Sequence, residues 1–151
     1  VTIRDPAWVG RRVEVRDRVE LARAVAGGEP EPYLPAGTGS HLGRGSPPLR
    51  PVTLLALGGL DRIVEHARED LTITVEAGIR VPVLLSHLRN AGQWIPALAG
   101  MEGTVGGVVA CDRRNVLAGG LGCVADALLG ATFVAAGGEV VSAGGRVVKN
   151  V

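Results

Sequence analysis

Two glycine-rich segments hold the residue types that could meet an anion. The first is Ala36-Gly37-Thr38-Gly39-Ser40-His41-Leu42, and the second is Gly103-Thr104-Val105-Gly106-Gly107. Glycines leave the backbone open to a ligand's oxygens, and consecutive N–H groups with hydroxyls beside them make a nest suited to phosphate or pyrophosphate. Thr104 is placed to cap a short helix, whose N-terminus would add unpaired donors and a favourable dipole. Glycine clusters also form ordinary turns, so either segment alone admits both readings. Neither matches a standard nucleotide loop. A Rossmann turn needs a third glycine where Leu42 stands, and the Gly-Lys-Ser/Thr of a P-loop is absent.

Other chemistry is sparse. Cys111 and Cys123 stand twelve apart with no zinc-ligand spacing, and are expected as two buried free thiols. His66 and His87 lie on or near charged segments and are expected at the surface. No nucleophile–base pair, carboxylate dyad or iron–sulfur cysteine cluster is legible. Sixteen basic residues nearly balance fifteen acidic ones, which excludes the basic stripe of a nucleic-acid binder. The arginines at 11, 12, 16, 18 and 23 alternate with Glu14, Asp17 and Glu20, the pattern of a solvated face. No apolar run is long enough to span a membrane and no signal peptide is visible, so a cytoplasmic location is expected.

The elements that must position the two loops are short. Gly accounts for 23 of 151 residues, about double the usual share of roughly 7%, which favours short strands and tight turns. Alternation predicts a strand over 13–16, and Asp17 is an N-cap for a helix reaching Ala26. The apolar run 52–57 has buried-strand length, 63–64 is ambiguous between helix and strand, and 71–76 alternates as a strand. Val81, Leu84, Leu85 and Leu88 share one face of a helix over 81–90, with Gly92 at its C-terminal end. A strand over 131–136 turns at Gly137-Gly138 into 139–142, a hairpin. A turn at Gly144-Gly145 then leads to a last strand from 146 to 151.

Three ordered stretches carry a resemblance: PAGTGSHLG, then LTITVEAGIRVPVLLSHLRNAGQWIPALAGMEGTVGGVVAC, then ADALLGATFVAAGGEVVSAGGRVVKNV. Their order resembles the FAD-binding domain of the vanillyl-alcohol oxidase (PCMH) type, weakly before Leu34 and strongly after Leu71. Within that family the chain is most similar to the small FAD-binding subunits of bacterial glycolate oxidases. The resemblance implies an α+β fold with FAD between two subdomains, about 1–58 and 59–151, the second continuing past Val151 and so incomplete here. Residues 36–42 would wrap the pyrophosphate and 103–107 would approach it from the other side. Gly122 and Asp126 would run near the cofactor. Lys149 and Asn150 would pass near the flavin ring, where a cation could stabilise reduced flavin; the alternative is a solvated lysine at a strand end.

Some relatives attach FAD through a histidine in the first loop, but alignment of the glycines puts that position at Ser40, one before His41, so non-covalent FAD is expected. The resemblance further implies oxidation of a 2-hydroxy acid such as glycolate by hydride transfer to the flavin. Activity would require a complex with a larger flavin subunit and an iron–sulfur subunit, through which the chain could associate with a membrane. Two other readings stand beside it: a non-catalytic interaction module that has lost FAD, and the FAD subunit of another flavoprotein such as a molybdenum hydroxylase.

Overall fold

A computed structural model describes residues 5–28 and 32–145. Strand β1 (Val9–Glu14), helix α1 (Arg18–Ala26), β2 (Tyr33–Ala36) and β3 (Val52–Ala56) make the first unit. The three strands form one parallel sheet in the order β1-β3-β2. All five residues of the central strand, VTLLA, are buried. That is why its sequence runs continuously apolar with one threonine, rather than alternating. β1 starts four residues before the expected strand and ends at Glu14, although the Val15 N–H still donates to Ala56 O at 3.0 Å.

Asp17 caps α1 as expected: its Oδ1 accepts from the N–H groups of Val19 and Glu20, each at 2.8 Å. Those bonds, that from Glu20 first, hold the carboxyl below its ordinary range. Glu20 reaches back to accept from the Arg16 N–H at 2.9 Å. The helix start is therefore satisfied from both directions, as in a capping box.

The rest of the chain is antiparallel and helical. β4 (Ile63–Ala67) pairs with β5 (Thr72–Val75), so the ambiguous segment is a strand. Helix α2 (Val81–Asn90) follows, then a 3-10 turn (Pro96–Leu98), α3 (Val105–Ala110), α4 (Ala118–Leu121) and α5 (Val124–Ala127). Val81, Leu84 and Leu88 of α2 meet Ile79, Leu98, Met101, Val108 and Val124 in one core, as the face drawn from their spacing requires. Gly92 ends this segment at φ +70°. A hairpin of β6 (Gly130–Val134) and β7 (Val140–Gly144) closes the described chain, its strands largely exposed. The expected strand 146–151, with Lys149 and Asn150, lies outside the described residues.

Candidate functional site

β2 and β3 are neighbours and parallel, so the chain must cross from the end of one to the start of the other. Parallel crossovers of this length are usually helical, yet residues 37–51 contain neither helix nor strand. An irregular stretch this long in a small domain usually has a role beyond connection. Its backbone shows what that role could be. Among the described residues, the N–H groups of Gly37, Thr38, Gly39, Ser40 and His41 donate to no protein atom. The Leu42 N–H donates to Gly39 O at 3.1 Å and the Arg44 N–H to His41 O at 3.0 Å, curling the loop. Gly39 sits at φ +72°, a conformation that strains residues with a Cβ.

The facing wall comes from the segment before α3. Gly103 takes φ +100°. A Cβ added there would lie 3.7 Å from Thr38 Oγ1 and 3.9 Å from Ser40 Oγ, so the two loops are close. A Cβ on Gly37 would overlap the Thr104 side chain, which is itself only 5% exposed. Between the loops is a cavity of about 350 Å³, bounded also by Arg44, Glu102 and Arg113. A smaller hollow of about 190 Å³ adjoins it at Gly37, Thr38 and Thr104, with Asp61 and Arg80 on its walls.

The second loop departs from the sequence reading in one respect. Thr104 does cap α3, accepting from the Gly107 N–H at 3.2 Å. The helix start, however, has no donors left over. The Val105 N–H donates to Ile79 O at 3.0 Å and the Gly106 N–H to Ala77 O at 2.8 Å. The donors without a protein partner among the described residues are those of Glu102, Gly103 and Thr104, one step earlier. Gly106 serves packing instead: a Cβ there would stand 2.8 Å from Ala77 Cβ. Val105 and Gly106 are outside the cavity wall, while Gly103, Thr104 and Gly107 are on it.

Gly122 and Asp126 also lie away from the cavity. Asp126 Oδ2 accepts from the Cys123 N–H at 2.7 Å at the start of α5, which holds its carboxyl below the ordinary range. Gly122, at φ +82°, leaves room for that carboxylate.

Several side chains play parts that sequence reasoning missed. Cys111 is exposed and Cys123 half-buried, so neither is the buried thiol expected; both are free. Cys111 ends α3, a helix too short to bury its last side chain. Its Sγ lies 3.5 Å from His41 Nδ1 on the cavity wall. His66 and His87 are half-buried and bonded to each other, Nδ1 to Nε2 at 3.0 Å, with His66 Nε2 also 2.8 Å from Gln93 Oε1. Gln93 in turn donates to Arg68 O at 2.8 Å, so this chain of bonds ties β4 to α2 away from the cavity. No group of three or more His, Cys, Asp or Glu among the described residues could hold a metal ion. No helix among them is long and apolar enough to cross a membrane.

The donor set fits a diphosphate. Two rows of unpaired amides face each other, hydroxyls stand between them, and Arg44 and Arg113 outnumber Glu102 at the rim. Comparison with known proteins points the same way. A model of the FAD binding domain matches residues 11–144. The chain is 29% identical over 115 residues to a probable mitochondrial D-lactate dehydrogenase of Danio rerio, covering 76% of this chain and 23% of that protein. It is 34% identical over 92 residues to glycolate oxidase subunit GlcE of Escherichia coli (strain K12), covering 59% of this chain and 26% of the relative. Against glycolate oxidase subunit GlcD of Bacillus subtilis (strain 168) it is 28% identical, covering 80% of this chain and 26% of the relative. The chain thus spans about a quarter of the length of these relatives. A berberine bridge enzyme variant solved with (S)-reticuline superimposes with a TM-score of 0.70 at 18% identity, over 91% of this chain and 29% of the other.

Proposed function

The chain belongs to the FAD-binding domain family, with the α+β fold of the vanillyl-alcohol oxidase type, and from this we propose that its cleft holds FAD non-covalently for the oxidation of a 2-hydroxy acid such as glycolate. The row of unpaired N–H groups at 37–41, facing a second row at 102–104, carries the reading. Fixed backbone dipoles can meet two phosphate charges without a strongly basic patch. In this reading Gly37, Gly39 and Gly103 let the backbone close on the diphosphate, Thr38 and Ser40 add hydroxyls, and Arg44 and Arg113 supply positive charge. Val105, Gly106, Gly122 and Asp126 act by shaping the loops that flank the cleft. The crossover belongs to a first subdomain ending near residue 58 and the facing loop to a second. Lys149 and Asn150 are assigned, as part of the same reading, to the neighbourhood of the flavin ring.

Bound FAD supplies an acceptor for hydride from the carbon bearing the substrate's hydroxyl, while the protein supplies position and electrostatics. The proposed substrate class is supported by similarity to relatives whose names include a probable D-lactate dehydrogenase and two glycolate oxidase subunits. A larger flavin subunit and an iron–sulfur subunit would be the partners that carry electrons away, in the cytoplasm or at a membrane reached through them. The His41 ring faces Cys111 through Nδ1, in keeping with non-covalent attachment.

The test is a visible absorption spectrum of the purified chain after addition of FAD and dialysis. A retained, protein-shifted flavin spectrum is expected, with all the flavin released to the supernatant by acid precipitation. A colourless protein that cannot be loaded would overturn the cofactor, and flavin left in the acid pellet would overturn the non-covalent assignment.

A further inference from the structure

Cys111 and His41 meet from opposite sides of the cleft, the histidine on the crossover and the cysteine at the end of α3, 70 positions apart in sequence. Cys111 is exposed, so its sulfur is open to reagents in solution. The molecule carries its own control in Cys123, also free, at the start of α5: its sulfur accepts from the Asp126 N–H, and its own N–H donates to the Asp126 carboxylate at 2.7 Å. The two neighbours differ in what they can do for a thiol. A neutral imidazole can take the proton and leave a thiolate beside an imidazolium. The Asp126 carboxylate, held below its ordinary range by the bond from the Cys123 N–H, is a much weaker base than an imidazole.

Cys111, His41 and the unpaired amides of 37–41 line the same cavity. We propose that Cys111 is a modification site: a nucleophilic thiol, served by His41 as its base, that reacts with soft electrophiles and peroxides. With an alkyl iodide, sulfur forms a bond to carbon, the carbon–iodine bond breaks, and iodide leaves with the electron pair while His41 holds the proton. With hydrogen peroxide, sulfur attacks one oxygen and the O–O bond breaks. The departing hydroxide takes the proton from His41 to become water, and sulfur is oxidised to sulfenic acid as the peroxide is reduced. Any such adduct projects into the cavity that the two loops share.

The experiment is limited alkylation of the whole chain by iodoacetamide at pH 7 without FAD, so that its outcome does not depend on the flavin reading. Peptide mass spectrometry reports the two cysteines separately. Cys111 is expected to react about tenfold faster than Cys123, and His41→Ala to remove about tenfold of the Cys111 rate while leaving Cys123 unchanged, a modest effect beside the roughly 10²–10⁴-fold of a catalytic base. Equal rates in the wild-type chain, or a Cys111 rate indifferent to His41→Ala, would overturn the proposal. Should Cys123 react faster in His41→Ala, that variant has loosened and His41→Gln is read in its place. Gln keeps most of the bulk and a polar contact but lacks the basic nitrogen, so an unchanged Cys111 rate there would also overturn it.

Discussion

The two glycine-rich loops are similar as strings of small residues and opposite in how they use their backbones. In 37–41 five consecutive amide hydrogens are left without a protein acceptor, and Gly39 adopts a positive φ. In 105–107 each amide is engaged, by Ile79, Ala77 and Thr104 in turn. Gly106 is needed there because Ala77 stands where its side chain would be. Gly39 is held so that the backbone can reach outward; Gly106 is held so that two segments can touch. Glycine alone therefore does not mark a ligand loop, and the state of the amides does.

The contrast is open to attack by substitution. Gly106→Val should have the largest effect on stability, since Ala77 Cβ at 2.8 Å and Ala77 O at 3.0 Å leave no room for the new atoms. A loss of about 1–3 kcal/mol is expected from overpacking, measured by thermal denaturation and partly restored by Ala77→Gly. Flavin content should fall only with the folded fraction. A stable but colourless Gly106→Val protein would erase the distinction between the loops. Gly39→Val should cost less stability, about 1–2 kcal/mol for a side chain forced into the left-handed region. It should nevertheless lower FAD affinity by about tenfold or more, the equivalent of one or two lost hydrogen bonds to a charged group, read by flavin titration of the folded variant.

The smallest effect concerns acid. Arg62 lies 2.6 Å from Glu76 Oε1 through Nη2, and its backbone N–H donates to Oε2 at 2.9 Å. Chiefly through the guanidinium bond, Glu76 is held below its ordinary range. A depressed carboxyl contributes stability that is present above its unfolded value and lost as pH falls through its folded one. The pair lies near the surface, so the contribution is small. Glu76→Gln should flatten slightly the fall of Tm below the ordinary glutamate range. Glu76 immediately precedes Ala77, so acid should lower the hydrogen-exchange protection factor of Gly106, on the packing loop, in the wild type more than in the variant.

What was legible in the chain followed from local rules. Asp17 and Thr104 cap the helices their positions suggest, and Val81, Leu84 and Leu88 face one core, because these patterns act within a few residues. The glycine-rich loop 37–42 was legible as a candidate anion site for the same reason. The long-range partners were not. His66 finds His87 and Gln93 at 21 and 27 positions, and His41 finds Cys111 at 70, where no spacing rule applies. Which amides of the second loop stay unpaired was also hidden, since the acceptors of Val105 and Gly106 lie at Ile79 and Ala77, in a turn that only the packing brings near.

The sheet order β1-β3-β2 has a consequence for how the chain is made. β1 and β2, both made before β3, are not neighbours, and among the described residues each pairs only with β3. Until residues 52–56 emerge, neither has its permanent partner and the crossover has no fixed far end. The loop of unpaired amides therefore cannot take its final shape before β3 pairs with strands already synthesised. Its facing wall, near residue 103, is translated still later, so a nascent chain has the first half of the cleft well before it has the second.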